Sequence, residues 1–408
     1  LKLDQITCIV CNVSLVQKFI LDDVILISFP ACVLSLTKDF GSPGPVFLRN
    51  GGYMTPNEYG HFVFQRSETV EVACPGNKRK IVLGNDTTSY DVLEAHCIVN
   101  STFRVDRRFV QFKDLRCSSQ PWFTAEESEE NCRGHNRLYR VGYRVKRVFY
   151  PLYEACFDKS LLHTHYVKHD LSPTSVFMQT GVKRPQFIEG SLYGSARMNE
   201  IYKLTNQKTR LDETLGTNMA SVYLSKNQFL TRGHLAARAD FTTSAETRAT
   251  FHYVNTAPQW MRGNAGDWAA LEEALRRRVN NMGINVTVFT GTHGVMTLPS
   301  RTGRMHEVYL HSDGNNNLDV PVPMYFYKLV YNPINKTGAA FITINSSFYN
   351  NPIINSLTFC EDICDGNPKY SWLRWRSNDG TFSFCCDYKQ FVDEVDYLPK
   401  LDIKGRFY

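Results

Sequence analysis

Between Cys156 and Cys360 the chain has no cysteine, although it carries twelve in 408 residues. Chemistry in that middle stretch therefore uses neither a thiolate nucleophile nor zinc-finger sulfur ligands. No stretch supplies the roughly 20 clean apolar residues of a membrane span. The apolar run from Phe19 to Leu36 is broken by Asp22, Asp23 and Pro30, which also makes it a poor secretory h-region. Residues 1–31 are thus expected to be a degraded leader or an incomplete start, and no membrane partner is expected. Internal repeats and low-complexity tracts are absent, which excludes solenoid arrays. Cys8-Ile-Val-Cys11 has no second pair at zinc spacing, so a metal or redox role for it is disfavoured.

What is present is globular. Hydrophobic residues make up 43% and charged residues 21%, values that exclude disorder and collagen-like order. The length exceeds one ordinary core, so two domains are expected. The net charge of +6 suits a polyanionic partner without requiring one. Cysteines crowd both ends, and sequons stand at Asn12, Asn85, Asn100, Asn285, Asn335 and Asn345. That pairing of features predicts a secreted, disulfide-linked glycoprotein. Without Cys8 and Cys11 the remaining ten cysteines allow five bridges, of unreadable connectivity.

Residues 32–140 show short β-type runs, such as Glu68-Thr-Val-Glu-Val-Ala, separated by turn signals such as Gly51-Gly52. They are expected to form a β-rich, disulfide-braced module without catalytic spacing. Leu138 to Tyr150 alternates like a half-buried strand, with Arg140, Arg144, Lys146 and Arg147 on its solvated face. His163, His165 and His169 lack a carboxylate or thiol at ligand spacing, so a metal site there is disfavoured. Met198 to Lys208 reads as helix. Val286–Gly291, Met324–Tyr331 and Ala339–Ile344 read as buried strands. The adjacent Cys385 and Cys386 should bridge to two different partners and staple the C-terminal segment to the body. Residues 141–408 are expected to be one domain.

The chemistry concentrates between Leu230 and Arg278. There Leu-Thr-Arg-Gly-His leads, Val-Asn-Thr-Ala-Pro-Gln-Trp follows, and Asn264 opens a helix with an apolar stripe of Trp268, Leu271, Leu275 and Val279, ended by Gly283. His234 can take a proton from water at physiological pH. Asn264 supplies an oxygen to a hard cation such as magnesium, and Glu272 can help through water. Arg232 can neutralise charge on phosphoryl oxygens, and Arg276 shares the Glu272 face one turn on. A base, a cation site and a guanidinium are what hydrolysis of a phosphodiester requires.

These motifs closely resemble the DNA/RNA non-specific endonuclease family and its ββα-metal site. The cysteine pattern outside them resembles its secreted arthropod branch. The resemblance implies an α+β fold, with a ββα-metal nuclease domain around a central antiparallel sheet flanked by helices. It implies His234 as general base, Asn264 as metal ligand, Asn255 and Glu272 as supporting polar residues, and Arg232 and Arg276 as phosphate contacts. Arg210 is the candidate for a further upstream arginine. The implied cofactor is Mg2+, with Mn2+ as a substitute. The implied substrate is DNA or RNA, with a duplex expected, cut to 5′-phosphate products. Thr231 departs from the family's usual Asp. It is the one support for a second reading, a secreted nucleic-acid-binding protein that has lost most of its rate.

Overall fold

The computed structural model describes residues 31–376 and 381–408, together with the backbone of 17–21 and 24–28. Cys8, Cys11 and the Asn12 sequon lie outside the described residues. The chain divides into two compact units after Pro121.

Among the described residues, the named strands of the first unit all pair antiparallel. Its main sheet has six strands in the order Arg108–Gln111, Thr102–Val105, Val92–Val99, Thr69–Ala73, Val46–Arg49 and Gly52–Tyr53. Alternation sets its faces: Val70 and Val72 are fully buried, while the alternating Thr69 and Glu71 are half-buried. Phe40, Phe47, Phe62 and Phe112 pack edge-to-face and stacked at centroid distances of 4.8–5.5 Å. Bridges Cys32–Cys97 and Cys74–Cys117 close this core, each contributing roughly 2–4 kcal/mol by restricting the unfolded chain.

The second unit is built on a nine-stranded sheet. Its order is Thr124–Asn131, Arg137–Val145, Val148–Asp158, His163–Leu171, Val286–Val295, Pro323–Asn332, Thr337–Ile344 and Phe382–Cys386, with Gly405–Arg406 pairing parallel to Thr337–Ile344. The first strand and the start of the second lie before residue 141, and the division after Pro121 falls earlier than the 140/141 boundary expected from composition. Cross-strand pairing of Arg137–Val145 with Val148–Asp158 ties them to the later sheet. Arg140, Arg144 and Arg147 are exposed on it, and Arg144 pairs with Glu126. The central strand Pro323–Asn332 is buried along nearly its whole length, as a strand covered on both faces must be.

Two short strands, Leu230–His234 and Thr256–Trp260, form their own antiparallel ribbon, and helix Ala269–Met282 follows. Trp268 meets Phe326 of the central strand edge-on at 5.6 Å. The stripe Trp268, Leu271, Leu275 and Val279 is buried, and Gly283 ends the helix at φ +65°. Asn264 does not cap this helix. Its φ of −61° and ψ of −42° are helical, and the chain has already turned at Met261–Gly263. A wide turn over Asn264–Trp268, with Gly266 at ψ −114°, offsets Asn264 from the helix that carries Glu272. The expected helix Met198–Lys208 is split into Met198–Ile201 and Leu204–Leu215.

Asn345 corrects the sequon reading. It is 3% exposed, its Nδ2 donates to the carbonyls of Pro258 and Pro323, and its Oδ1 accepts from the Trp260 amide. Burial commits this side chain to pinning the ribbon against the central strand, out of reach of a glycan. Asn85, Asn100, Asn285 and Asn335 are exposed. At the C-terminus the adjacent cysteines do take different partners, Cys385 with Cys364 and Cys386 with Cys360. The third bridge of this unit is Cys132–Cys156. Asp267 is buried and accepts from the Arg376 amide and Ser383 Oγ, so the wide turn is clamped to the stapled segment. Among the described residues, no helix is long and apolar enough to cross a membrane.

Candidate active site

The ribbon and the helix enclose one side of a cleft of about 610 Å³, lined by Arg184, Arg232, His234, Arg238, Asn264 and Glu272, with Phe187 and Phe251. Thr231 also lines it. Neighbouring chain segments thus place a base, a neutral oxygen donor, a carboxylate and several guanidinium groups around one space.

Gly233 makes the approach possible. A Cβ there would lie 2.7 Å from Cβ of Gln259 on the paired strand, closer than real side chains come. His234 follows, paired with Thr256. Its ring sits between Phe187 and Phe251 at 5.1 and 4.9 Å. Burial pulls its pKa down to about 3, and the charges of Arg184, Arg238 and Lys328 push the same way. The imidazole is therefore neutral at pH 7, while the same burial and charges weaken it as a base until negative charge enters the cleft. Its Nε2 is buried with no partner among the described residues, a vacancy that costs about 1–3 kcal/mol in a purely structural histidine.

Asn255 is fully buried and does not face the cleft. Its Oδ1 accepts from the Ala236 amide, and its Nδ2 donates to the carbonyls of Ala236 and Thr250. It shapes the chain directly after His234. Arg232 donates from Nε to Tyr253 Oη at 2.7 Å, and that hydroxyl donates to Asn199 Oδ1 at 2.8 Å. Rings of Tyr202, Tyr253 and Phe187 surround its guanidinium at 5.0–5.8 Å. One edge of the fork is fixed, and the side chain is aimed by its neighbours.

Asn264 donates from Nδ2 to Thr231 Oγ1 at 2.9 Å. Glu272 is held by a buried lysine. Lys328, 1% exposed on the central strand, stands 3.8 Å from Glu272 Oε1 and donates to Thr290 Oγ1 and to the carbonyl of Leu235. Burial raises the Glu272 carboxyl to about 7, Lys328 opposes this, and Asp240 adds to it. Burial lowers the Lys328 ammonium, against the pull of Glu272 and Asp240.

Arg276 and Arg210 are not among the residues that line this cleft. Arg276 donates to Asp240 Oδ1 at 2.9 Å, and His169 Nε2 meets Asp240 Oδ2 at 2.9 Å. Burial would raise the Asp240 carboxyl, but the hydrogen bond and charge of His169, then Arg276, hold it well below the usual carboxylate range. Arg276 thus neutralises a buried aspartate beneath the site. Arg210 pairs with Glu213 and lines a separate cleft with Lys159, Arg197 and His311. Sequence reasoning missed Arg184, Arg238 and Lys328. Arg184 lies in a loop without periodicity, so no pattern exposes it. Lys328 did carry a signal: a lone charge inside Met324-Tyr-Phe-Tyr-Lys-Leu-Val-Tyr must find a buried partner.

The donor set suits a hard divalent cation. Asn264 and Glu272 offer oxygens only, with no sulfur, and so few protein ligands match a hydrated ion shared with a phosphate. Among the described residues, the one group of three His, Cys, Asp or Glu side chains with ligand atoms within 4.8 Å of one another is Asp362, Cys364 and Cys385. Its sulfurs are bonded to each other and are not thiolates.

The chain is similar in sequence to several known proteins. The family model for DNA/RNA non-specific endonucleases matches residues 134–390. A salivary endonuclease of Lutzomyia longipalpis is 27% identical over 94% of this chain and 88% of its own length. Salivary protein Tsal2A of Glossina morsitans morsitans is 24% identical over 72% of this chain and 74% of its own. A chain in a solved EndoG/EndoGI complex is 22% identical, covers 49% of this chain and 74% of that one, and superposes with a TM-score of 0.32. The chain belongs to the DNA/RNA non-specific endonuclease family, whose members are metal-dependent, and it is an endonuclease.

Proposed function

We propose that this protein is a secreted, Mg2+-dependent, sugar-non-specific endonuclease that hydrolyses DNA, RNA or both and leaves 5′-phosphate ends. The convergence of His234, Arg232, Asn264 and Glu272 on one cleft carries this reading. His234 takes the proton of an attacking water as its oxygen bonds to phosphorus and the bond to the 3′ oxygen breaks. Burial keeps the imidazole neutral across the physiological range, and the negative charge of a phosphate in the cleft would raise its affinity for that proton. Arg232, with Arg184 and Arg238 nearby, neutralises the growing charge on the phosphoryl oxygens. Magnesium, when bound, supplies polarisation of the phosphate and stabilises the leaving oxygen. Asn264 would hold it directly and Glu272 through water. Secretion is supported by the bridges, the exposed sequons and the salivary relatives.

Plasmid nicking with magnesium, manganese, calcium or chelator tests the reading, with single- and double-stranded DNA and RNA run side by side. His234→Ala should lower the rate by about 10²- to 10⁴-fold, and the nicks should be sealed by a ligase that needs a 5′-phosphate. Equal rates for the variant and the native chain would remove His234 as the base.

A further inference from the structure

Thr231 occupies a position with two hydrogen bonds of opposite sense. Its Oγ1 donates to the carbonyl of Gln259 at 2.8 Å and accepts from Asn264 Nδ2 at 2.9 Å. A hydroxyl has one hydrogen. Here that hydrogen is committed to Gln259, the cross-strand partner of Thr231 in the ribbon. Only lone pairs remain on the side facing Asn264.

An asparagine amide has a donor end and an acceptor end of nearly the same shape. Flipped, it would set Oδ1 against Oγ1, acceptor against acceptor. As it stands, Nδ2 is engaged and the oxygen is left for the cleft that Asn264 lines. The β-branched threonine is stiff at χ1, and the ribbon pairing fixes its backbone, so the hydroxyl is a rigid reference point. Asn264 needs one, because it lies in the wide turn before Gly266 rather than in the regular helix.

We infer that Thr231 is a positioning residue that fixes which end of the Asn264 amide faces the cleft, and thereby sets the cation affinity of the site. This rests on Asn264 being the direct cation ligand. Thr231→Val keeps the shape and removes both hydrogen bonds. Thr231→Ser keeps the hydroxyl.

The test titrates manganese(II) into the full chain and counts free ion by electron paramagnetic resonance, with no substrate present. The native chain, Thr231→Val, Thr231→Ser and Asn264→Ala are compared. Thr231→Val should bind about 10- to 100-fold more weakly, as loss of an outer hydrogen bond to a ligand does. Thr231→Ser should stay within about threefold of native, and Asn264→Ala should lose the site. With saturating cation, kcat of Thr231→Val should return to within about threefold of native, which a collapsed site would not allow. Native-like affinity in Thr231→Val, with the site lost in Asn264→Ala, overturns the positioning role alone. Native-like affinity in Asn264→Ala overturns the ligand assignment first. Should Thr231→Val fail to fold, Thr231→Ala, which removes the same bonds and adds no bulk, carries the same expectation.

Discussion

Lys328 Nζ stands 3.8 Å from Glu272 Oε1 while donating to the carbonyl of Leu235, the residue after His234. One buried ammonium thus ties the end of the base-bearing strand to the carboxylate on the helix. Its charge favours ionised Glu272 and disfavours protonated His234. Replacing it with methionine removes the charge and keeps most of the volume. In Lys328→Met the Glu272 carboxyl should rise further above about 7. At pH 7 the half-saturating magnesium concentration should then increase, on the order of tenfold, and recover toward pH 9. Cation titrations of activity at both pH values check this. An unchanged requirement at pH 7 would sink it.

Buried His169 and Asp240, with half-buried Arg276, predict acid sensitivity. Asp240 is held below its ordinary range, so its contribution is present above the unfolded value near 3.9 and is lost as pH falls below it. Asp240→Asn should destabilise the fold by about 3–5 kcal/mol at pH 7, because it leaves the half-buried Arg276 without its counter-charge. Urea melts at pH 7, 5 and 3.5 should show the gap to the native chain narrowing at the lowest pH.

Glu246 has the opposite sign. Burial raises its carboxyl to about 7, although Thr243 and the Thr242 amide hydrogen-bond to it. The neutral form fits the fold. That stability is complete below the ordinary value of 4.5 and declines as pH rises to about 7. Glu246→Gln preserves the shape and cannot ionise. It should match the native chain at pH 4.5 and exceed it by about 1–3 kcal/mol at pH 8, measured by denaturant melts.

Glycan mapping tests the reading of Asn345. Mass spectrometry of protein expressed in an insect secretory system should find occupancy among the exposed Asn85, Asn100, Asn285 and Asn335, and none at Asn345. Asn345→Ala should cost about 2–4 kcal/mol, because it leaves the Trp260 amide and the carbonyls of Pro258 and Pro323 unpaired.

Gly233→Ala should damage activity more than it damages folding. The added methyl meets the side chain of Gln259 and must spread the ribbon between Thr231 and His234. Overpacking of this kind costs about 1–3 kcal/mol, and a displacement of about 1 Å at the base can cost about a hundredfold in rate. Thermal melts beside single-turnover cleavage separate the two effects.

Local spacing was enough to place much of this molecule. The helix stripe Trp268, Leu271, Leu275 and Val279, the stop at Gly283, the buried strands and the split bridging of Cys385 and Cys386 all follow from periodicity or from covalent geometry, and these act between near neighbours. The approach of His234, Asn264 and Glu272 also follows from motif order, because the ribbon and helix are contiguous. Tertiary structure alone decided the rest. Arg276 turned away to Asp240 because a buried carboxylate outcompetes a solvated cleft for a guanidinium. Arg184 and Lys328 entered the site from segments with no motif, since electrostatic fields act through space rather than along the chain. Asn345 became a brace because burial removed it from solvent. Thr231 gained its meaning from the two atoms that its hydroxyl touches across the ribbon.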